Sequence, residues 1–518
     1  MKKIIGSTTL LLPIAALAAT GDERPNVIML VADDLGYGDL SCYGATRVST
    51  PNVDRLAQQG LRFTDAHAVA STSTPSRYSL LTGEYSWRKE GTDIAAGNAG
   101  MIIRPERFTL ADLFKSVGYT TSAIGKWHLG LGEVTAEQDW NNPLPVGLGD
   151  IGFDYSYIMA ATADRVPCVF LENGMVANYD ASAPIEVSYK ENFPGEPTGK
   201  DNPELLYNLK PSPGQGHNQS IVNGISRIGW MRGGGKALWK DENIADSIAT
   251  HAIEFIRANK DNPFFMYLCT NDVHVPRFPH ERFRGKSPMG LRGEAILSFD
   301  WTVGQIVETL QKLKLDKNTL IILTSDNGPV LDDGYQDRAV ELVGNHKPGG
   351  PFRGGKYSAF EAGTTVPFIV AWPGHTPKGK VSSALVSHID FFASLQALIG
   401  ARSPKEAAPD SRNFIDTWLG KSDVSRPWVV EQALNHALSI RNKEWKYIEP
   451  SDGNKRAWGT MIETGYDTRP QLYNLANDEG ETQNLTEKQP QRVFEWQNLL
   501  RRIRQNPAYG IRRNQAKQ

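Results

Sequence analysis

Two pairs of oxygen-bearing side chains each follow a short apolar run. Asp33 and Asp34 come after Asn26-Val-Ile-Met-Leu-Val31, and Asp326 and Asn327 come after Leu320-Ile-Ile-Leu323. Two acids at the end of a buried strand are costly without a counter-charge. Oxygen-only donors select a hard cation, calcium or magnesium, and a loose, large set suits calcium. Either pair alone serves equally well as a helix cap or turn; two pairs flanking one cleft favour the cation. Cationic side chains recur in comparable places. Lys126 and His128 lie between glycines in Gly125-Lys-Trp-His-Leu-Gly130, His274 precedes Val275-Pro276, Lys356 follows Gly354-Gly355, and Arg77 lies between Ser71 and Gly83. Any one of them is by default an ordinary surface or core residue. Together they make a pocket for a small tetrahedral anion, a sulfate- or phosphate-type ester.

The elements that must position these groups follow from the hydrophobic pattern. Residues 26–31, 264–268 and 320–323 are continuous apolar runs, the mark of strands covered on both faces. Further strands are expected at 119–124 and 367–371, and helices at 51–60, 108–114, 243–257 and 291–313. This alternation argues for an α/β fold with a parallel sheet, in which ligands bind beyond the C-terminal strand ends. Every polar cluster above sits at such an end. The stretch from Ser71 to Gly83 reads as a short helix. Pro75 suits its first position, Ser73 or Thr74 sits at or just before the N-cap, and Gly83 stops it. Ser73 would then face unpaired N–H groups at the positive end of the helix. Residues 180–240, rich in Pro, Gly and Asn, read as a long surface excursion. After about residue 400 the alternating patterns at 437–440, 445–448 and 470–475 predict antiparallel hairpins, closed by a helix at 489–504. Gly147-Leu-Gly149-Asp-Ile-Gly152 has the letters of a dinucleotide site but follows no strand, so it is read as a loop.

The string Ser73-x-Pro75-Ser76-Arg77-x-x-x-Leu81-Thr82-Gly83 resembles the signature of the type I, formylglycine-dependent sulfatases, in its serine form. The resemblance extends over most of residues 25–510. Gly125–Gly130 is similar to a second signature of that family, Asp33-Asp34 and Asp326-Asn327 to its two metal pairs, and His274 and Lys356 to its sulfate-binding positions. One departure is Glu361-Ala362-Gly363, where the family has Glu-Gly-Gly. The resemblance implies the alkaline-phosphatase-like fold: a large mixed, mostly parallel sheet sandwiched by helices in a catalytic domain over 20–400. A smaller C-terminal α+β subdomain with an antiparallel sheet would occupy 401–518. It implies that Ser73 is oxidised to formylglycine by a radical maturase of the anaerobic type. Asp33, Asp34, Asp326, Asn327 and the modified Ser73 would hold Ca2+, with Mg2+ as the alternative. Arg77 and Lys126 would support the hydrated aldehyde, His274 or Lys356 would protonate the departing alkoxide, and His128 would take the proton that lets the sulfated intermediate collapse. A sulfate ester on plain serine would lack that exit.

The remaining features narrow the class. Lys+Arg (56) nearly balances Asp+Glu (58), so no global charge points to nucleic acid or an anionic membrane. Lys2 and Lys3, an apolar run from Leu10 to Leu17, and Ala16-Leu17-Ala18 read as a signal peptide over 1–19, with export to the periplasm or medium. No later segment approaches membrane-spanning length. Three cysteines are no disulfide framework and are expected as free thiols. The expected activity is hydrolysis of sulfate esters on carbohydrates, on galactose or N-acetylgalactosamine units of mucin-type glycans or glycosaminoglycans. The alternatives are a phosphate or phosphonate ester hydrolase of the same superfamily and a non-catalytic sulfated-glycan binder. His217, Arg227, Arg277, His280, Asn345, His346 and Arg353 are candidate sugar contacts, because they lie on excursions near the expected cleft.

Overall fold

The computed structural model describes residues 24–134 and 137–506. The signal peptide expected over 1–19 lies outside the described residues. The apolar runs form the centre of a ten-stranded sheet. Its strands lie in the order Lys380–Ser387, Leu61–His67, Phe368–Ala371, Thr319–Ser325, Asn26–Ala32, Phe264–Cys269, Thr120–Lys126, Tyr155–Met159, Phe170–Glu172 and Met175–Val176. The pairings run parallel from Thr319–Ser325 across to Tyr155–Met159, while Phe368–Ala371 and Phe170–Glu172 run against their neighbours. Every residue of Asn26–Ala32, Phe264–Cys269 and Thr319–Ser325 is buried, as two-faced coverage requires. Helices cover the sheet in two packed groups. Pro51–Gln59, Ile244–Ala258 and Gly290–Lys312 form one, and Ser73–Thr82, Leu110–Lys115, Phe391–Ile399 and Ile415–Trp418 the other.

Register sets the site. Ala32 pairs with Ser325, so Asp33-Asp34 and Asp326-Asn327 leave adjacent strands at one level. Val31 pairs with Cys269 and Cys269 with Gly125, which delivers Lys126 to the same edge.

A separate four-stranded antiparallel sheet follows, in the order Val429–Gln432, Leu438–Arg441, Trp445–Ile448, Gln471–Asn474, with Pro490–Gln505 packed on it. It has its own core around Val430, Ile440, Leu472, Trp496 and Leu500. The excursion at 180–240 is more ordered than its composition implied: Glu186–Ser188 pairs with Trp230–Arg232 and Ile221–Val222 with Ile225–Ser226. The glycine triplet near 150 forms a single 3-10 turn, Leu148–Ile151. Cys42, Cys168 and Cys269 are free thiols. Among the described residues no helix is long and apolar enough to cross a membrane.

Buried ion pairs tie the loops at the strand ends to the helices. Arg292, on Gly290–Lys312, donates from both terminal nitrogens to the two oxygens of Asp39 at 2.7 Å each, and His346 Nε2 lies 2.8 Å from Asp39 Oδ1. His346 therefore serves this internal pair rather than a sugar, which corrects the expectation for that residue. Burial pushes the Asp39 carboxyl up, but Arg292 and His346 outweigh it and hold it at about 2, below its ordinary 3.8. The folded protein thus binds this proton more weakly than the unfolded chain. The stabilisation is complete above 3.8 and is lost as pH falls towards 2. We predict that Asp39→Asn, which strands Arg292 without its partner, destabilises the protein by about 3 kcal/mol at neutral pH. Denaturant midpoints of wild type and variant should converge as the pH is lowered through that window.

Candidate active site

Ser73 opens the helix Ser73–Thr82, whose ten residues are all buried. The N-cap is Thr72, in extended conformation, so the helix starts before the position expected from Pro75, which becomes its third residue. A proline is tolerated there because the N–H groups of the first turn have no intrahelical partner. Gly83 ends the helix at φ 63°, as expected. Ser73 makes no capping bond and reaches across to the sheet. Its hydroxyl donates to Asp326 Oδ2 at 2.5 Å and accepts from Lys126 Nζ at 2.6 Å. Asp33 Oδ1 and Asn327 Oδ1 are each 3.5 Å from the same oxygen.

Charges of both signs interleave around it. Lys126 Nζ lies 2.6 Å from Asp33 Oδ1, and Arg77 Nε and Nη2 lie 3.0 and 2.8 Å from Asp326 Oδ2. Asn327 Nδ2 donates to Asp34 Oδ1 at 2.8 Å, and Lys356 Nζ donates to Asp34 Oδ2 at 2.8 Å. His274 Nε2 is 3.3 Å from Lys356 Nζ, while its Nδ1 is 2.7 Å from the Val275 carbonyl. That carbonyl accepts a hydrogen bond from Nδ1–H, which leaves Nε2 as an acceptor. His128, at φ 60°, places Nε2 2.9 Å from the Ala95 carbonyl and leaves Nδ1 without a partner. Burial, then Lys126 and Arg165, push the His128 pKa well below its ordinary value; burial and Lys356 do the same to His274. Burial also opposes the charge on Lys356, but Asp333 and Asp34 outweigh it and keep the ammonium.

The donor set fits a divalent cation. Asp33, Asp34, Asp326 and Asn327 are wholly buried, and Asp33 Oδ2 has no hydrogen-bond partner. Burial pushes the Asp33 carboxyl well up against Lys126. An orphaned, buried carboxylate oxygen among three more oxygen-bearing side chains calls for a hard positive charge.

Three partners carried no signal in the motifs. Asp333 accepts from Lys356 Nζ at 2.8 Å and from the Tyr357 hydroxyl at 2.9 Å. Asp164 and Arg165 lie just beyond Tyr155–Met159, an acid and a base at yet another strand end, and the same rule would have found them. His217 Nε2 is 3.1 Å from Asp164 Oδ2, which brings this candidate sugar contact to the site. Two of the other candidates are already taken by internal partners. Arg227 is fully buried and bidentate to Asp241 at 2.8 and 2.7 Å. Arg277 is closed by Asp337 and the Val273, Val330 and Leu331 carbonyls. Neither guanidinium is available to a sugar, which corrects both expectations. His280 caps the short turn Glu281–Phe283, and Asn345 is exposed.

Arg353 does something else again. Its Nε and Nη2 each bond Glu463 at 2.8 Å, and Nη1 donates to the Glu481 carbonyl at 2.7 Å. The turn that bears Lys356 is thereby held from the C-terminal segment. The Tyr466 hydroxyl bonds the Tyr357 carbonyl at 3.1 Å, and the Glu361 N–H bonds Glu481 Oε2 at 2.7 Å.

A mixed, mostly parallel sheet with an acid-lined polar pocket at its strand ends places the molecule among the alkaline-phosphatase-like hydrolases. The family described as Sulfatase matches residues 25–401, and the chain belongs to that family, enzymes that hydrolyse sulfuric esters. It is 53% identical over 482 residues, 93% of each chain, to an N-acetylgalactosamine-6-O-sulfatase of Bacteroides thetaiotaomicron. To the N-acetylgalactosamine-6-sulfatase of Rattus norvegicus it is 30% identical over 442 residues, covering 82% of this chain and 72% of the rat protein. A solved Bacteroides thetaiotaomicron sulfatase, described in the context of the metabolism of multiple glycosaminoglycans, superposes with a TM-score of 0.91 at 53% identity, over 93% of this chain and all of that one. Membership of the family implies a metal and a formylglycine.

We predict that Glu463→Ala lowers kcat/KM for sulfate-ester hydrolysis about tenfold by loosening the Lys356 turn, with a small change in melting temperature. Arg353→Ala should do at least as much, because it also removes the bond to the Glu481 carbonyl, and the double variant should do no more than Arg353→Ala, because the Glu463 contact is already gone. Additive losses would refute the anchoring role.

Proposed function

We propose that this chain is an exported carbohydrate sulfatase that removes 6-O-sulfate from N-acetylgalactosamine or galactose units, with Ser73 as formylglycine precursor and calcium as the metal. The observation that carries the reading is the convergence of Lys126, Asp326, Asp33 and Asn327 on Ser73 Oγ. The substrate reading is supported by the two relatives named for 6-sulfated N-acetylgalactosamine, at 53% and 30% identity. The serine form implies an anaerobic-type radical maturase as partner, acting before or during export.

Asp33, Asp34, Asp326 and Asn327 would hold the cation. When present, the cation supplies positive charge against the sulfate oxygens, and the hydrated aldehyde at position 73 supplies the nucleophilic hydroxyl. Lys126 and Arg77 then orient the oxygen at position 73 and balance the carboxylates around it. Lys356, fixed by Asp34 and Asp333 and still carrying its proton, is the group equipped to protonate the departing sugar oxygen. His274 offers Nε2 as an acceptor and so serves to aim the lysine and the sulfate rather than to give a proton itself. His128, with Nδ1 unpartnered, is equipped to take the proton whose loss releases sulfate. The low exposure of Ser73, 3%, keeps bulk water from this centre.

Mass spectrometry of the peptide spanning Ser73 should show the serine-to-aldehyde oxidation in active material, and Ser73→Ala should lower turnover by about 10⁴-fold or more without unfolding the protein. Active protein with only unmodified serine would refute the mechanism. Chelation should abolish activity and lower the melting temperature, with calcium restoring both better than magnesium. Calorimetry should show Asp33→Asn binding calcium more weakly than wild type. Against a substrate panel, 6-sulfated N-acetylgalactosamine should be preferred to its 4-sulfated isomer, and aryl sulfate to aryl phosphate; the reverse order for the aryl esters would favour a phosphate ester hydrolase.

A further inference from the structure

We infer that a cleft beside the reactive pocket binds the sugars adjoining the sulfated unit, and that those sugars are uncharged. The inference deepens the carbohydrate sulfatase reading and rests on it. The cleft has a volume of about 890 Å³, within the range of small-molecule sites and larger than one sugar needs. Neither Ser73 nor Lys356 lines it, but two of the segments that line it also carry residues of the reactive pocket. The loop leaving Asn327 passes Pro329 to Asp332 in the cleft wall, and the next residue, Asp333, holds Lys356 at 2.8 Å. The neighbouring segment puts Ser212 and Gln215 in the cleft and His217 on Asp164. Tyr335, a cleft residue, packs edge-on against His217 with ring centroids 5.0 Å apart. The sugars that adjoin a sulfated unit gripped at Lys356 are therefore assigned to this cleft.

The lining shows what sort of sugar fits. Val340 and Met461 present apolar surface, as the C–H faces of pyranose rings require, while Val330 and Tyr335 are buried in the wall behind them. Val340 and Met461 are 52% and 68% exposed, and Trp458, next to the cleft residue Gly459, is 77% exposed. Large apolar side chains gathered in the open at one place mark a binding surface. Trp458 is also fixed: its indole N–H donates to the Gly214 carbonyl at 3.0 Å, which leaves the ring faces free for stacking. The ionic lining is unfavourable to anions. Asp332 and Glu341 line the cleft, Asp337 is neutralised by Arg277 at 2.6 Å, and Arg338 is the only cation among the described lining residues. A uronic acid or a second sulfate would meet net negative charge, whereas neutral or N-acetylated sugars would not.

The test compares three substrates on formylglycine-bearing protein: 6-sulfated N-acetylgalactosamine alone, the same unit linked to an uncharged sugar, and the same unit linked to a uronic acid. The uncharged disaccharide should exceed the monosaccharide in kcat/KM by about tenfold, and the uronate-linked one should not. Trp458→Ala and Met461→Ala should erase that gain and leave monosaccharide turnover unchanged, and Glu341→Gln should raise turnover of the uronate-linked substrate. Equal wild-type values for all three substrates, or losses in Trp458→Ala that are the same for monosaccharide and disaccharide, would overturn the inference. Calorimetry with the desulfated, uncharged oligosaccharide separates this site from the catalytic reading. Binding that depends on Trp458 supports the cleft even if no sulfate is released, and binding indifferent to Trp458 overturns it even in an active enzyme.

Discussion

The structure turns on charge compensation at the ends of two neighbouring strands. Ala32 pairs with Ser325, and this register forces Asp33, Asp34, Asp326 and Asn327 into one dry volume. Carboxylates so placed are tolerable only when opposite charge is brought to them. Lys126 arrives from the next strand but one, Arg77 from the buried helix, and Lys356 from a glycine-rich turn. Asp33 Oδ2 still lacks a partner, so the side chains alone leave the compensation incomplete. The same field that makes the site costly makes it fit to hold a small oxyanion.

A second buried cluster shows a different solution to a similar problem. His67, Glu361 and Glu431 approach one another closely enough to hold a metal ion. Lys446 stands among them instead, 2.9 Å from Glu361 and 3.4 Å from Glu431. Its ammonium takes the place that a cation would need, and burial pushes nearby Glu481 up to about 8 against the pull of Lys446. This cluster joins the large sheet, through His67, to the antiparallel sheet, through Glu431, Arg441 and Lys446. Through Glu361, Glu481 and Arg353 it also grips the turn that carries Lys356. The C-terminal segment thus acts on the site by holding the loop that carries Lys356.

Activity and stability therefore draw on the same kind of interaction at different depths. Pairs such as Arg292–Asp39 and Arg227–Asp241 are closed and neutral, and they brace the loops around the pocket. The pocket itself is left with an unpaired oxygen, a histidine nitrogen without a partner and a lysine shared between two carboxylates. Incomplete pairing at the centre is supported by complete pairing around it.

The amino-acid sequence by itself determined the strands, because a continuous apolar run has few other fates, and it placed Asp33-Asp34, Asp326-Asn327, Lys126-x-His128 and His274 at their ends. It also determined the family, through the string from Ser73 to Gly83. Tertiary structure alone decided which polar groups stand free and which are already taken. His346, Arg227 and Arg277 look in sequence like exposed loop cations, yet each is consumed by a distant acid, while Asp333 and Glu463 look ordinary and hold Lys356 or its turn. The physical reason is range: hydrophobic periodicity is written in neighbouring residues, whereas a charge pair such as Arg292 with Asp39 joins positions 253 apart and leaves no local trace until the chain has folded.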